Sequence, residues 1–516
     1  MSGPLSSRVE ERLAQLGRDR VVERIWARDP SVWSDDPATP ELADRLGWLE
    51  VGDTMAAAVV DLAAFAEEIH SEFDRVIVCG MGGSSLAPEV LWRVGGPRSG
   101  FPVLHLLDST HPDAVRAASA GMERSLLLVV SKSGTTIETA SFDRYFWDRS
   151  GQHGAQFLAI TDPDTVLDRS ATERGFRRVF QNPPDIGGRF SALSLFGLVP
   201  AAVVGADVDD LLARAQTAAR ALRRPAPENR AAQLGALLGE AALAGRDKLT
   251  LVLDAGLASF GLWVEQLVAE STGKRGRGLL PVVGEDPDTL TGAAPDRCYV
   301  VRTLGAPSGP VAALLDRLAT TGAPTDVGAL DGPSGIAAEF LTFELATAIA
   351  GAILEVNPFD QPNVAESKAN TARVLETAAP AAPAADAATV RRWLSGVRPG
   401  DYVAVMAFLD PSAETDRRLA GLRAALARRL GVAITVGYGP RFLHSTGQLH
   451  KGGPPRGHFV QLLDPDMAEL AIPDAPYGFA RLLQAQADGD LEALRARGRP
   501  AVRVTDWDLF EREVRG

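Results

Sequence analysis

The sequence predicts an α/β fold: two doubly wound parallel-sheet domains followed by a smaller C-terminal α/β segment. Three observations predict it. Short apolar runs recur with helix-length stretches between them, they fall into two series of similar design, and turns rich in glycine and hydroxyls follow the strand ends. RVIVCG (75–80), VLHLLD (103–108), SLLLVV (125–130) and QFLAIT (156–161) read as the first series. The intervals 80–103 and 131–156 are long enough for crossover helices. An Ala/Leu/Arg-rich helical region at 206–245 leads to the second series, KLTLVLD (248–254), LLPVVG (279–284) and CYVVRTL (298–304). APAAPAADAA (379–388) is low-complexity, and its prolines oppose continuous helix, so it reads as a linker. YVAVMAFL (402–409), VAITVGYG (432–439) and HFVQLL (458–463) form the appendage. The expected division is a helical segment at 1–50, a first domain at 51–205, a second at 206–378, a linker at 379–390 and a C-terminal segment at 391–516.

A chain of 516 residues is long enough to bury a large core in two or three domains. It is 46% hydrophobic and 23% charged, ordinary for a globular protein. The net charge of −13 argues against a nucleic-acid surface, yet leaves room for a local phosphate site. Two cysteines, Cys79 and Cys298, are too few for a disulfide framework or a cysteine metal cluster. The N-terminus is charged and amphipathic, without the apolar core of a signal peptide, and no uninterrupted apolar stretch approaches the length of a membrane span. A cytoplasmic protein, with no membrane partner, is expected.

SKSGTT (131–136) follows the buried-looking SLLLVV and precedes a predicted helix, TTIETASFDRYFWD. Ligands of doubly wound sheets bind at the carboxyl ends of the strands, and hydroxyls with backbone N–H groups at a helix N-terminus suit an anion. An N-cap followed by an ordinary loop accounts for the residues equally well. A second strand end repeats the pattern, RVIVCG running into MGGSSLAPEV (81–90). Ser85 stands where a dinucleotide fingerprint needs glycine, and neither loop matches GxxxxGK[ST]. Two hydroxylated loops without those fingerprints suggest a small phosphorylated molecule.

VCGMGGSSLAPEV, SKSGTTIETA, GGRFSALS (187–194), AESTGKRGRGLLP (269–281) and NPFDQPNVAESK (357–368) resemble, in order, the motifs of glucose-6-phosphate isomerases, which are built from two sugar isomerase (SIS) domains. RFLHSTGQLHKGGP (441–454) is similar to the isomerase half of bacterial transaldolase/isomerase fusions, and no room remains for an attached transaldolase barrel. The resemblance implies that Ser131, Ser133, Thr135 and Thr136 hold a sugar phosphate. Lys132 would add charge there or point to solvent. Gly83 and Ser84 match the glycine turn beside the sugar. The resemblance gives Arg189 the role of stabilising an enediolate, Glu270 that of the base shuttling a proton between C2 and C1, and Lys368, with Gln361 seven residues before it, a role at the sugar oxygens. Glu366 is either a further site residue or a partner of Lys368.

One departure from the family pattern concerns histidine. Commoner members carry a catalytic histidine between the ESTGK-type and FDQ-type motifs, whereas this chain has none between His153 and His444. If ring opening uses imidazole, the appendage must supply it, with His444 first and His450 second. No metal and no cofactor are expected, because transferring a proton between adjacent carbons requires neither. The implied activity is interconversion of glucose 6-phosphate and fructose 6-phosphate in glycolysis and gluconeogenesis. Two alternatives stay open: an isomerase that also takes mannose 6-phosphate, and a non-catalytic SIS module that binds a sugar phosphate. A homodimer is also implied by the resemblance.

Overall fold

The computed structural model describes residues 4–377 and 382–516. It contains three parallel sheets. The first holds β1 (Arg75–Gly80), β2 (Val103–Leu107), β3 (Ser125–Val130), β4 (Phe157–Thr161) and β5 (Arg178–Gln181), in the order β2-β1-β3-β4-β5. The second holds β6 (Lys248–Leu253), β7 (Leu280–Val283), β8 (Arg297–Leu304) and β9 (Thr325–Leu330), in the order β7-β6-β8-β9. The third holds β10 (Tyr402–Phe408), β11 (Ala433–Tyr438), β12 (Gly457–Leu463) and β13 (Ala501–Val504), in the order β11-β10-β12-β13. All strand pairs are parallel.

Both faces of such sheets are covered by helices, so their strands need no polar alternation. All six residues of β3 are buried, as are all seven of β10. The strand order of the first sheet reverses between β1 and β3, where Gly80 lies beside Val130. A crevice opens at such a reversal because the crossovers leave toward opposite faces. The glycine turn after β1 and the hydroxyl loop after β3 are therefore neighbours at the place where this fold binds ligands.

The first two sheets share a continuous apolar core that runs from Leu91 and Phe196 to Trp263 and Phe340. Trp263 meets the edge of Phe340 with ring centroids 4.7 Å apart. Within this core lies the helix Ile336–Ile353, packed on Arg230–Leu243. The span Pro333–Ile353 is long and apolar enough to cross a membrane, but 83% of its apolar window is buried inside the molecule, which marks it as a core helix. The third sheet has its own core around Val403, Leu426 and Phe510. It also packs against both neighbours: Phe479 stacks on Phe142 of the first unit at 5.9 Å, and Leu449 and Phe442 pack with Ala269 and Leu280 of the second. Of the expected linker, residues 379–381 lie outside the described residues. A helix starts at Ala387, capped by Asp386, whose side chain accepts from the Thr389 N–H.

Candidate active site

The hydroxyl loop is held mainly by its own side chains. Ser131 Oγ accepts from the Gly134 N–H at 3.1 Å and donates to Thr136 Oγ1 at 3.1 Å, while Ser133 Oγ and Thr135 Oγ1 lie 3.0 Å apart. Gly134 has φ +68°, and a Cβ there would come within 2.9 Å of the Leu167 backbone nitrogen, so glycine is required. Thr136 is the N-cap of the helix Ile137–Arg149, yet its side chain does not cap it. Of the first N–H groups of that helix, that of Glu138 meets its own carboxylate, and Thr136 leaves its neighbours to another acceptor. Lys132 stays partly exposed and does not join the hydroxyls: its Nζ pairs with Asp162 Oδ2 at 2.5 Å and donates to the Pro184 carbonyl at 2.8 Å.

The glycine turn meets the arginine loop. Gly82, at φ +58° and ψ −126°, opens the helix Gly83–Gly95, with Ser84 half-buried in its first turn. A Cβ on Gly83 would lie 1.9 Å from the Gly188 carbonyl oxygen, so the two loops touch backbone to backbone. The next residue, Arg189, is 4% exposed. Its Nε donates to Ser271 Oγ (2.9 Å), Nη1 to Gln361 Oε1 (2.7 Å), and Nη2 to the carbonyls of Pro358 (2.6 Å) and Asp360 (3.0 Å). Four of the five N–H donors are thereby engaged, which holds the fork rigid. Glu270 lies on the buried helix Ala258–Thr272, 7% exposed, with Oε1 3.6 Å from Arg189 Nη1. The carboxylate keeps lone pairs free to take a proton.

His444 ties this centre to the hydroxyl loop. Its Nε2 lies 3.0 Å from Glu138 Oε1 on the first turn of the helix behind that loop, and Gln486 donates to the same oxygen at 2.7 Å. Its carbonyl accepts from Gln266 Nε2 at 2.8 Å, and Gln266 also donates to Glu270 at 3.1 Å. Burial pushes the Glu138 carboxyl up, but His444, foremost among several opposing contacts, and the hydrogen bond from its own N–H help to hold it below the usual range. Lys368 is exposed on the helix Pro362–Thr377, and its charge acts in the same direction on Glu138. Arg441 clamps the His444 turn onto the first unit through Glu89 and through Asp108 at 3.2 Å.

Two expectations are corrected. His450 lies away from this centre: it is 3% exposed, packed among Tyr402, Phe442 and Phe459, and both ring nitrogens lack partners among the described residues. Burial, with Lys451 and Arg499 nearby, pushes its imidazole well below its ordinary value, so it is a neutral core ring. The alternative in which Glu366 pairs with Lys368 also falls, because Glu366 binds Arg497 at 2.5 Å.

Three residues of the cluster escaped the sequence reading. Glu138 reads in sequence as an acid complementing a helix N-terminus. Gln266 sits four residues before Glu270, a spacing that places both on one helix face. Lys274 lies inside ESTGK; its Nζ reaches the Asn357 carbonyl and Asp360 Oδ1 (2.7 Å). Burial, then the nearby Arg189, pushes this ammonium down to about 7.

The phosphoglucose isomerase family model matches residues 56–278, the stretch holding the glycine turn, the hydroxyl loop, Arg189 and Glu270. A glucose-6-phosphate isomerase of Geotalea daltonii is 30% identical over 299 residues, 52% of this chain and 54% of that protein. One from Thermosynechococcus vestitus is 31% identical over 282 residues, 51% of each. The chain spans about half the length of the curated relatives it matches. Among solved structures, a hypothetical protein from Thermus thermophilus matches with a TM-score of 0.63 at 24% identity, covering 72% of this chain and 98% of that one. A glucose-6-phosphate isomerase from Chlamydia trachomatis matches with a TM-score of 0.56 at 19% identity, covering 72% and 85%. The fold shared with these two structures thus extends beyond the stretch matched by the family model, while Gln361, Lys368 and His444 lie outside that stretch.

Proposed function

We propose that this chain interconverts glucose 6-phosphate and fructose 6-phosphate through an enediolate. The observation that carries the reading is the hydrogen-bonded path from the helix behind the hydroxyl loop, through Glu138, His444 and Gln266, to Glu270 beside Arg189. The hydroxyls of Ser131, Ser133, Thr135 and Thr136, with the uncapped helix N-terminus, would hold the phosphate. With Nε2 held by Glu138, His444 would exchange a proton with the ring oxygen through Nδ1, opening the sugar. Lys368 would assist at the sugar oxygens. Glu270 would then take the proton from C2 and return it to C1, while the fixed Arg189 guanidinium stabilises the negative charge that develops on the oxygens. The electron pair moves only between adjacent carbons, so no redox partner enters.

A sugar-phosphate sensor would need the loop but would gain nothing from a carboxylate buried against an arginine. The enzyme reading is therefore preferred. A coupled assay for glucose 6-phosphate formed from fructose 6-phosphate, run with and without a chelator, tests it. Turnover insensitive to the chelator is expected, and none from pure folded protein would overturn the proposal. Cytoplasmic location is proposed with glycolytic and gluconeogenic chemistry. The family resemblance also supports a homodimer; light scattering that returns the 54.6 kDa mass of one chain at assay concentration would refute it.

A further inference from the structure

A second cleft, of about 600 Å³, lies where the second unit meets the C-terminal segment. The glycines Gly276, Gly452 and Gly453 form part of its wall, with five cations around them: Lys274, Arg275, Lys451, Arg497 and Arg499. Three of the cations have carboxylate partners. Lys274 pairs with Asp360, Arg497 with Glu366 and Lys451 with Asp490. Arg275 and Arg499 have no carboxylate partner among the described residues.

These two arginines differ in a useful way. Arg499 is 8% exposed; its Nη2 donates to the carbonyls of Lys451 (3.1 Å) and Gly453 (2.7 Å), while Nε and Nη1 have no partner among the described residues. A guanidinium charge buried without a counter-charge is costly, and such costs persist where a ligand relieves them. Arg275 is exposed and held at φ +55°, a backbone region that non-glycine residues seldom occupy and that tends to mark functional turns. It lines the same cleft. The two uncompensated charges match a dianion, and the volume suits a small organic molecule rather than a bare ion. Glycine walls let a ligand approach the backbone closely.

We propose that this cleft is a second anion site, separate from the hydroxyl loop, and that it takes a small phosphate ester. It goes beyond the proposed isomerase activity and does not depend on it. Lys274 connects the two places, since Asp360, its partner, also accepts from Arg189 through its carbonyl. An ester in the cleft would therefore be felt at the reaction centre.

Calorimetric titration of the full chain with glycerol 3-phosphate tests this without any need for turnover. The Ser131→Ala/Thr136→Ala variant weakens the hydroxyl loop and should still bind one equivalent. Adding Arg275→Glu to it should weaken that remaining binding by about tenfold or more, because a charge-assisted contact is replaced by repulsion. Arg275→Glu alone changes an exposed side chain and should leave kcat within about twofold. A single binding event that the Ser131/Thr136 pair abolishes would overturn the proposal, as would an affinity indifferent to Arg275→Glu. Inorganic phosphate binding as tightly as the ester would overturn the choice of ligand.

Discussion

The hydroxyl loop and the carboxylate centre are two regions of one candidate site, built on opposite plans. The loop is contiguous, six residues long, partly open to water, and satisfied largely by its own hydroxyls. The centre is buried and assembled from four distant parts of the chain: Arg189, the helix with Gln266 and Glu270, the turn at 358–361, and His444. A loop of hydroxyls can hold an anion equally well before and during reaction. A rigid, largely buried cluster can respond to charge that appears only in transit, because electrostatic interactions strengthen as water is displaced. The loop should therefore govern affinity, and the centre should govern rate.

The largest effect that would sharpen this contrast is on Glu270→Gln. It keeps the bond from Gln266 within reach but removes the base, so kcat should fall by roughly 10²–10⁴-fold or more while sugar phosphate still binds. Stopped assays together with direct ligand binding would check both halves. Next, His444→Ala should lose about 10²-fold or more on cyclic glucose 6-phosphate, and an open-chain phosphorylated tetrose should rescue it. Glu138→Gln should show a milder form of the same defect with the same rescue. If the tetrose rescued Glu270→Gln instead, the assignment of the two roles would be reversed.

A third effect concerns stability. Glu265, next to Gln266 and buried, has its carboxyl pushed by burial up to about 7, against the opposing pull of Arg441. A carboxyl raised in the folded state contributes stability that is complete below its unfolded value near 4.5 and is lost as the pH rises through about 7. Urea unfolding between about pH 4.5 and 7.5 should therefore show the protein losing at most about 3 kcal/mol relative to Glu265→Gln, with the gap constant above that range. A pH-independent gap would mean that this side of the centre is wetter than its packing indicates. The smallest effect is at the loop. Thr136→Ala should raise KM by about ten- to hundredfold and barely change kcat, because the lost bond serves ground and transition states alike. A change in kcat alone would erase the contrast between the regions.

How legible each part was in the sequence follows the same division. Strands buried on both faces, such as SLLLVV and YVAVMAFL, announce themselves as apolar runs. β5, β9 and β13 do not: each is an edge strand, two have only four residues, and TDVGAL of β9 is largely half-exposed. The loop was legible because its chemistry is written in adjacent letters. Gln266 and Glu138 were not, since a glutamine or glutamate on a helix is usually solvated, and only tertiary packing turns these two inward. The pair His444 and His450 makes the point most sharply. Six residues apart in one motif, they are the same by composition. One meets a carboxylate across the seam between units, while the other faces three aromatic rings.

The clamp that Arg441 makes on Glu89 and Asp108 has a consequence for mass action. Because it delivers His444 to Glu138 from the same polypeptide, that encounter is intramolecular, and its effective concentration does not change when the protein is diluted. Specific activity should then be independent of protein concentration, even where a dimer would dissociate. The proposed dimer would then be free to serve solubility, longevity or control, since the chain already brings its own imidazole to the carboxylate that receives it.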